Sequence, residues 1–101
     1  MVEVVKEVGC WSVYLIRCAD DSLYTGISND VVKRFLTHQS GDRKSAKYLR
    51  SRHPLKLIYT VEAGDRAAAS RLEAGIKRLS KTKKEQLVSG RYSLVDLGLQ
   101  V

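Results

Sequence analysis

Trp11 to Cys18 is a run of β-forming side chains, and Leu23 to Ile27 is a second short apolar run. Ala19, Asp20, Asp21 and Ser22 between them are turn formers, so the two runs read as the arms of a hairpin. Asn29 is placed to cap a helix over Asp30 to Gln39, with Val31, Val32, Phe35 and Leu36 on one apolar face and Gly41 at its end. Residues 40–54 form a polar, basic loop closed by Pro54. Leu55, Leu57, Tyr59 and Val61 then alternate with Lys56, Ile58, Thr60 and Glu62 at the period of a strand.

Asp65 is set to cap a second helix over Arg66 to Leu79, whose inward stripe is Ala69, Leu72, Ile76 and Leu79. Thr82 and Glu85 have the spacing of a capping box for a short third helix that Gly90 stops. The order β-β-α-β-α-α predicts an α+β domain, a three-stranded antiparallel sheet flanked by helices. The expected domain covers residues 1–90, with residues 91–101 as a loosely held tail.

The 101 residues suffice for one such domain, and 44% hydrophobic with 29% charged side chains excludes the profile of a disordered chain. Met1 to Cys10 contains no apolar stretch long enough for a signal peptide or a membrane span, so a cytoplasmic protein is expected. Cys10 and Cys18 bracket an extended segment that holds them roughly 26 Å apart, well beyond disulfide reach. With no further cysteine and only two histidines, a cysteine-rich zinc site is excluded as well.

Charge changes the picture more than composition does. The net charge is +7, unevenly distributed: residues 33–56 carry +7 and residues 76–101 carry +4, against −3 over residues 1–32 and −1 over residues 57–75. Two basic segments of this kind call for a polyanionic partner. Tyr48 lies among Arg43, Lys44, Lys47, Arg50 and Arg52, an aromatic interleaved with bases in the manner of nucleic-acid surfaces. The basic segments lack large apolar residues opposite their charges, which argues against a membrane surface. Lys81, Lys83 and Lys84 are most simply a solvated helix start, yet cations are unfavourable there, a misfit that favours an anionic partner.

Ser12-Val13-Tyr14 followed by Tyr24-Thr25-Gly26, on the two arms of one hairpin, resembles the paired motifs of the GIY-YIG nucleases. Arg34 and His38 on the next helix, and Glu73 on a helix beyond the third strand, extend that resemblance from Trp11 to about Gly90. The likeness is greatest to the short stand-alone bacterial members. It implies a metal-dependent endonuclease that hydrolyses nucleic-acid phosphodiesters, with DNA as the first substrate to consider.

In that resemblance Tyr24 corresponds to a general base for the attacking water, and Tyr14 positions the water or the phosphate. Arg34 stabilises the phosphate, His38 completes the catalytic group, and Glu73 holds one Mg²⁺ or Mn²⁺ ion. Arg43, Lys44, Lys47, Tyr48 and Arg50 form the expected nucleic-acid-binding surface. The other reading of the same sequence is a non-catalytic or weakly catalytic nucleic-acid-binding module. Ser12 replaces the first glycine of the motif, and Asn29 is the only asparagine, so the further asparagine common after the metal-binding glutamate is absent, with Gln86 the nearest substitute.

Strand geometry sets one condition on this site. Tyr14 and Tyr24 share a face only if paired residue numbers in the hairpin sum to an even value, as when Ile16 sits opposite Tyr24.

Overall fold

The computed structural model describes residues 10–99. The expectations for Met1 to Gly9 lie outside the described residues, as do Gln100 and Val101. Seven elements follow in order: β1 (Trp11–Arg17), β2 (Leu23–Ser28), α1 (Val31–Ser40), α2 (Lys47–Arg50), β3 (Lys56–Gly64), α3 (Arg66–Lys77) and α4 (Lys81–Ser89). The strands form one antiparallel sheet in the order β2-β1-β3. The α+β class and the three-stranded antiparallel sheet therefore agree with the sequence pattern.

β1 is the central strand, and residues 12–16 are all buried because both of its faces are covered. Val13 and Leu15 join Ala69, Leu72 and Ile76 of α3, with Leu87 and Leu94, in the main core. Tyr14, Ile16 and Cys18 join Leu49 and Leu55 in a second, smaller core on the opposite face, which Tyr24, Val31 and Phe35 flank. No alternation of polar and apolar residues marks this strand, since neither face meets water. Cys10 and Cys18 are both free.

β3 departs from the simple alternation its sequence suggests. Leu15 pairs with Tyr59 but Ile16 pairs with Leu57, so Ile58 is an extra residue in the ladder. Such a bulge flips the parity of everything beyond it. Leu55 and Leu57 consequently pack in the smaller core, while Ile58, Tyr59 and Val61 pack in the main one.

Several local expectations are corrected in the same way. Asp30, not Asn29, caps α1, its carboxylate accepting the Lys33 amide at 3.2 Å. The inward stripe of α1 is Val31, Phe35 and His38, whereas Val32 and Leu36 are 67% and 58% exposed. Positions 31, 35 and 38 follow the i, i+4, i+7 repeat of one helix face, and 32 and 36 lie one step round it. Asp65 caps α3 as expected, but the helix ends at Lys77, short of Leu79. Ser80 caps α4, and Glu85 does not close a capping box with Thr82. Its carboxylate instead takes a bidentate pair of hydrogen bonds from Arg17 at 2.6 and 2.7 Å, joining the hairpin to α4.

The basic segment 40–54 contains the single-turn helix α2, anchored by fully buried Leu49. The segment after Gly90 is also built into the fold. Leu94 is part of the main core, with Leu97 and Leu99 packed beside it. Gly75 makes room for that tail: a Cβ there would lie 2.6 Å from the Leu99 side chain.

Candidate active site

The hairpin register pairs Ile16 with Tyr24 and Tyr14 with Gly26. The parity condition is met, so Tyr14 and Tyr24 are diagonal neighbours on one face, with ring centroids 6.4 Å apart. The Tyr14 ring lies directly over Gly26. A Cβ on Gly26 would stand 2.5 Å from the Tyr14 hydroxyl oxygen and 2.6 Å from Cζ. Gly26 is not one of the glycines with positive φ, so space, not backbone conformation, requires glycine here.

His38 reaches this face from the last turn of α1 and is 0% exposed. Its Nδ1 accepts the Ala46 backbone N–H at 3.1 Å, and its Nε2 lies 2.8 Å from the Tyr14 oxygen. Burial, with the nearby Arg34 guanidinium adding, pushes its pKa down to about 4, so the ring is neutral at pH 7. A neutral imidazole with an accepting Nδ1 carries its proton on Nε2. His38 therefore donates to the Tyr14 oxygen and leaves the tyrosine's own O–H free to point elsewhere. The family resemblance groups His38 with the catalytic residues. Its position is that of a buried residue that orients Tyr14, and Ala46, whose amide fixes the tautomer, carries no signal in the sequence.

Because the imidazole is held uncharged, it couples folding to acidity. The unfolded histidine gains a proton near the ordinary value of 6.5 and the folded one near 4, so between these values the unfolded chain binds more protons. The stability contribution is complete above about pH 6.5 and is lost as pH falls towards 4, up to about 3 kcal/mol. Urea denaturation at stepped pH should show this loss already between pH 6.5 and 5, above the range where the carboxylates titrate. His38→Gln should flatten the curve in that interval, and an unchanged slope would mean another group is responsible.

Arg34 extends from the same helix face. One of its guanidinium nitrogens donates to the Lys44 carbonyl at 2.6 Å, which fixes the fork beside the Tyr14 hydroxyl. Glu73 comes from α3, its side chain 21% exposed, with Lys77 at 3.5 Å. Its charge acts on both tyrosines in opposition to that of Arg34, which locates the carboxylate on their side of the molecule. Burial, with Tyr24 adding and Arg34 opposing, pushes the Tyr14 phenol up to about 12. Burial likewise raises Tyr24, again against Arg34. Both are neutral phenols at pH 7.

The basic segment supplies the outer wall. Tyr48 stacks on Tyr24 with centroids 6.0 Å apart, and the Arg52 guanidinium lies 3.8 Å above the Tyr48 ring. Arg43, Lys44 and Lys47 are exposed. Arg50 serves the loop itself, its guanidinium donating to the carbonyls of Arg43 at 2.8 Å and Ser45 at 3.3 Å and so holding the segment in shape. Gln86 does not join the tyrosines. It lines a separate cavity with Asp21, Lys81 and Glu85.

The hairpin sets two tyrosines side by side, with an arginine from the next helix and a glutamate from the helix after the third strand, the arrangement that the resemblance to the GIY-YIG nucleases calls for. The family profile described as the GIY-YIG catalytic domain matches residues 10–86, and the chain belongs to that family, a nuclease superfamily. It is similar to a UPF0213 protein of Cronobacter sakazakii, 52% identical over 83 residues that span 82% of this chain and 85% of the relative. The UPF0213 protein YhbQ of Salmonella typhimurium is 49% identical over 81 residues, 80% of this chain and 79% of the relative. The solution structure of the UPF0213 protein BH0048 from Bacillus halodurans superposes with a TM-score of 0.52 at 40% identity, covering 88% of this chain and 93% of that one. These relatives are small bacterial proteins in which the matched segment is most of the chain. No helix among the described residues is long and apolar enough to cross a membrane.

Proposed function

We propose that this chain is a metal-dependent endonuclease that hydrolyses phosphodiester bonds of nucleic acid, DNA before RNA, at the cleft between Tyr14, Tyr24, Arg34 and Glu73. The observation that carries the reading is convergence. Four elements, β1, β2, α1 and α3, each deliver one of these side chains to a single patch, where the charges of Arg34 and Glu73 both act on the two phenols. A module that only binds has no chemical need for that combination.

Each side chain has a separable role. Arg34 directs its guanidinium at the scissile phosphate and stabilises charge as it develops there. Tyr14, its oxygen occupied by His38, turns its O–H towards a phosphate oxygen or the attacking water. Tyr24 faces that water and removes its proton once cationic neighbours favour the phenolate, since the free phenol is too weak a base at neutral pH.

Among the described residues no group of three or more His, Cys, Asp or Glu side chains could hold a metal. A single part-exposed carboxylate still fits Mg²⁺ or Mn²⁺, hard cations that accept one or two carboxylates and retain several waters, and does not fit zinc. Glu73 would hold it. When bound, such a cation compensates the negative charge that builds on the phosphate and the leaving oxygen.

Arg43, Lys44 and Lys47 would contact flanking phosphates, which positions a strand without reading its bases. The test is incubation of the purified protein with labelled DNA and RNA, single-stranded, duplex and branched, with and without Mg²⁺ or Mn²⁺. Fragments are expected only with the cation. A protein that binds across the panel and cuts nothing is instead the binding module.

A further inference from the structure

Beside the candidate site lies a groove where the motif and the basic loop meet two lysines that neither accounts for. It is about 230 Å³ and is lined by Leu23, Tyr24, Thr25, Tyr48, Lys77 and Lys84. Two lysines from different helices, α3 and α4, and two stacked tyrosines share its lining. Tyr24 belongs both to this groove and to the candidate site, so the two adjoin.

The lysines of α4 differ in how their charge is met. Lys81 is paired with Asp21 at 3.2 Å and with Glu85 at 3.8 Å. Lys84, half-buried in the groove, has no carboxylate within 4 Å among the described residues. Lys77 has only the 3.5 Å contact with Glu73 and is itself exposed. An ammonium placed in a concave, partly apolar groove without a counter-ion is unfavourable unless an anion enters. Tyr48, 41% exposed, is positioned by its stacking on Tyr24 and by the Arg52 guanidinium over its ring.

We infer that this groove seats a backbone phosphate of the substrate strand adjacent to the scissile one, with Lys84 as its principal contact, Lys77 behind it and the Tyr48 ring beside the attached nucleotide. The inference rests on the nuclease reading for its choice of anion, but it concerns binding and can be tested without cleavage. It also gives the strand a direction across the molecule, from the Arg34 side of the tyrosines to the α3–α4 side. Lys77 links this groove to the carboxylate assigned to the metal, so Lys84 is the cleaner position to change.

The experiment measures affinity of the full chain for a fluorescein-labelled DNA oligonucleotide in EDTA, between about 50 and 200 mM salt. Lys84→Ala should weaken binding and flatten the log–log salt dependence by about 0.7 for a single strand or 0.9 for a duplex, the loss of one phosphate contact. Lys83→Ala, one residue along the same helix and outside the groove, should leave the slope unchanged. An unaltered slope for Lys84→Ala, an equal change in both variants, or a wild type that binds no DNA overturns the proposal. Cleavage assays of the same proteins keep the two readings apart. A chain that cuts DNA while Lys84→Ala binds like wild type loses the groove but keeps the nuclease. A chain with the expected slopes that cuts nothing keeps the groove and loses the nuclease.

Discussion

Glu73→Gln should lower metal-dependent cleavage by about a thousandfold while nucleic-acid affinity stays within about twofold of wild type. Glutamine keeps the volume and helix preference of glutamate, so α3 and its buried stripe are undisturbed. The ion pair with Lys77 that the substitution removes is a part-exposed i, i+4 pair, worth only about 0.3–0.5 kcal/mol. What disappears is the charge that would anchor the cation, and Arg34, already tethered to the Lys44 carbonyl, cannot move to replace it. Single-turnover rates and binding isotherms on the same substrate check both halves. If wild type and Glu73→Gln cleave equally fast, Glu73 is no more than the helix-surface partner of Lys77.

Gly26→Ala should act through shape alone and still remove most activity. The added methyl would lie 2.5 Å from the Tyr14 hydroxyl, and Tyr14, buried and hydrogen-bonded to His38, has nowhere to withdraw. Overpacking of this kind costs about 1–3 kcal/mol of stability. The phenol would be pushed off its oriented position, and a displacement near 1 Å at a reacting centre costs on the order of 100-fold in rate. Thermal unfolding and cleavage should therefore fall together, whereas Glu73→Gln separates them. A Gly26→Ala protein with wild-type stability and rate would show that Tyr14 does not depend on the close approach of its ring to Gly26.

The parts of this molecule that were legible in its sequence are those fixed by short-range rules. The hairpin, the Asp65 cap and the Gly41 and Gly90 stops each depend on a few neighbouring residues, and the tyrosine pair follows from period-two geometry once the turn is set. What the sequence concealed depends on distant partners. Ile58 bulges only because of how β3 lies against β1. His38 looks like a polar residue near a helix end, and its burial comes from Ala46 and Tyr14 closing over it. The tail after Gly90 looks loose until Leu94 and Leu99 meet the main core and α3. Glu85 has the spacing of a cap, yet a bidentate arginine sixty-eight residues away in sequence is the better partner.

The central position of β1 has a consequence for motion. Tyr14 belongs to a strand paired on both sides and covered on both faces, the kind of segment that opens only when the whole domain unfolds. Arg34 and Tyr48 instead belong to a helix and a one-turn segment at the rim, secured largely by single bonds to loop carbonyls and by ring stacking. Any breathing of the site is therefore one-sided: the floor that carries Tyr14 stays fixed, and the rim that carries Arg34 and Tyr48 yields.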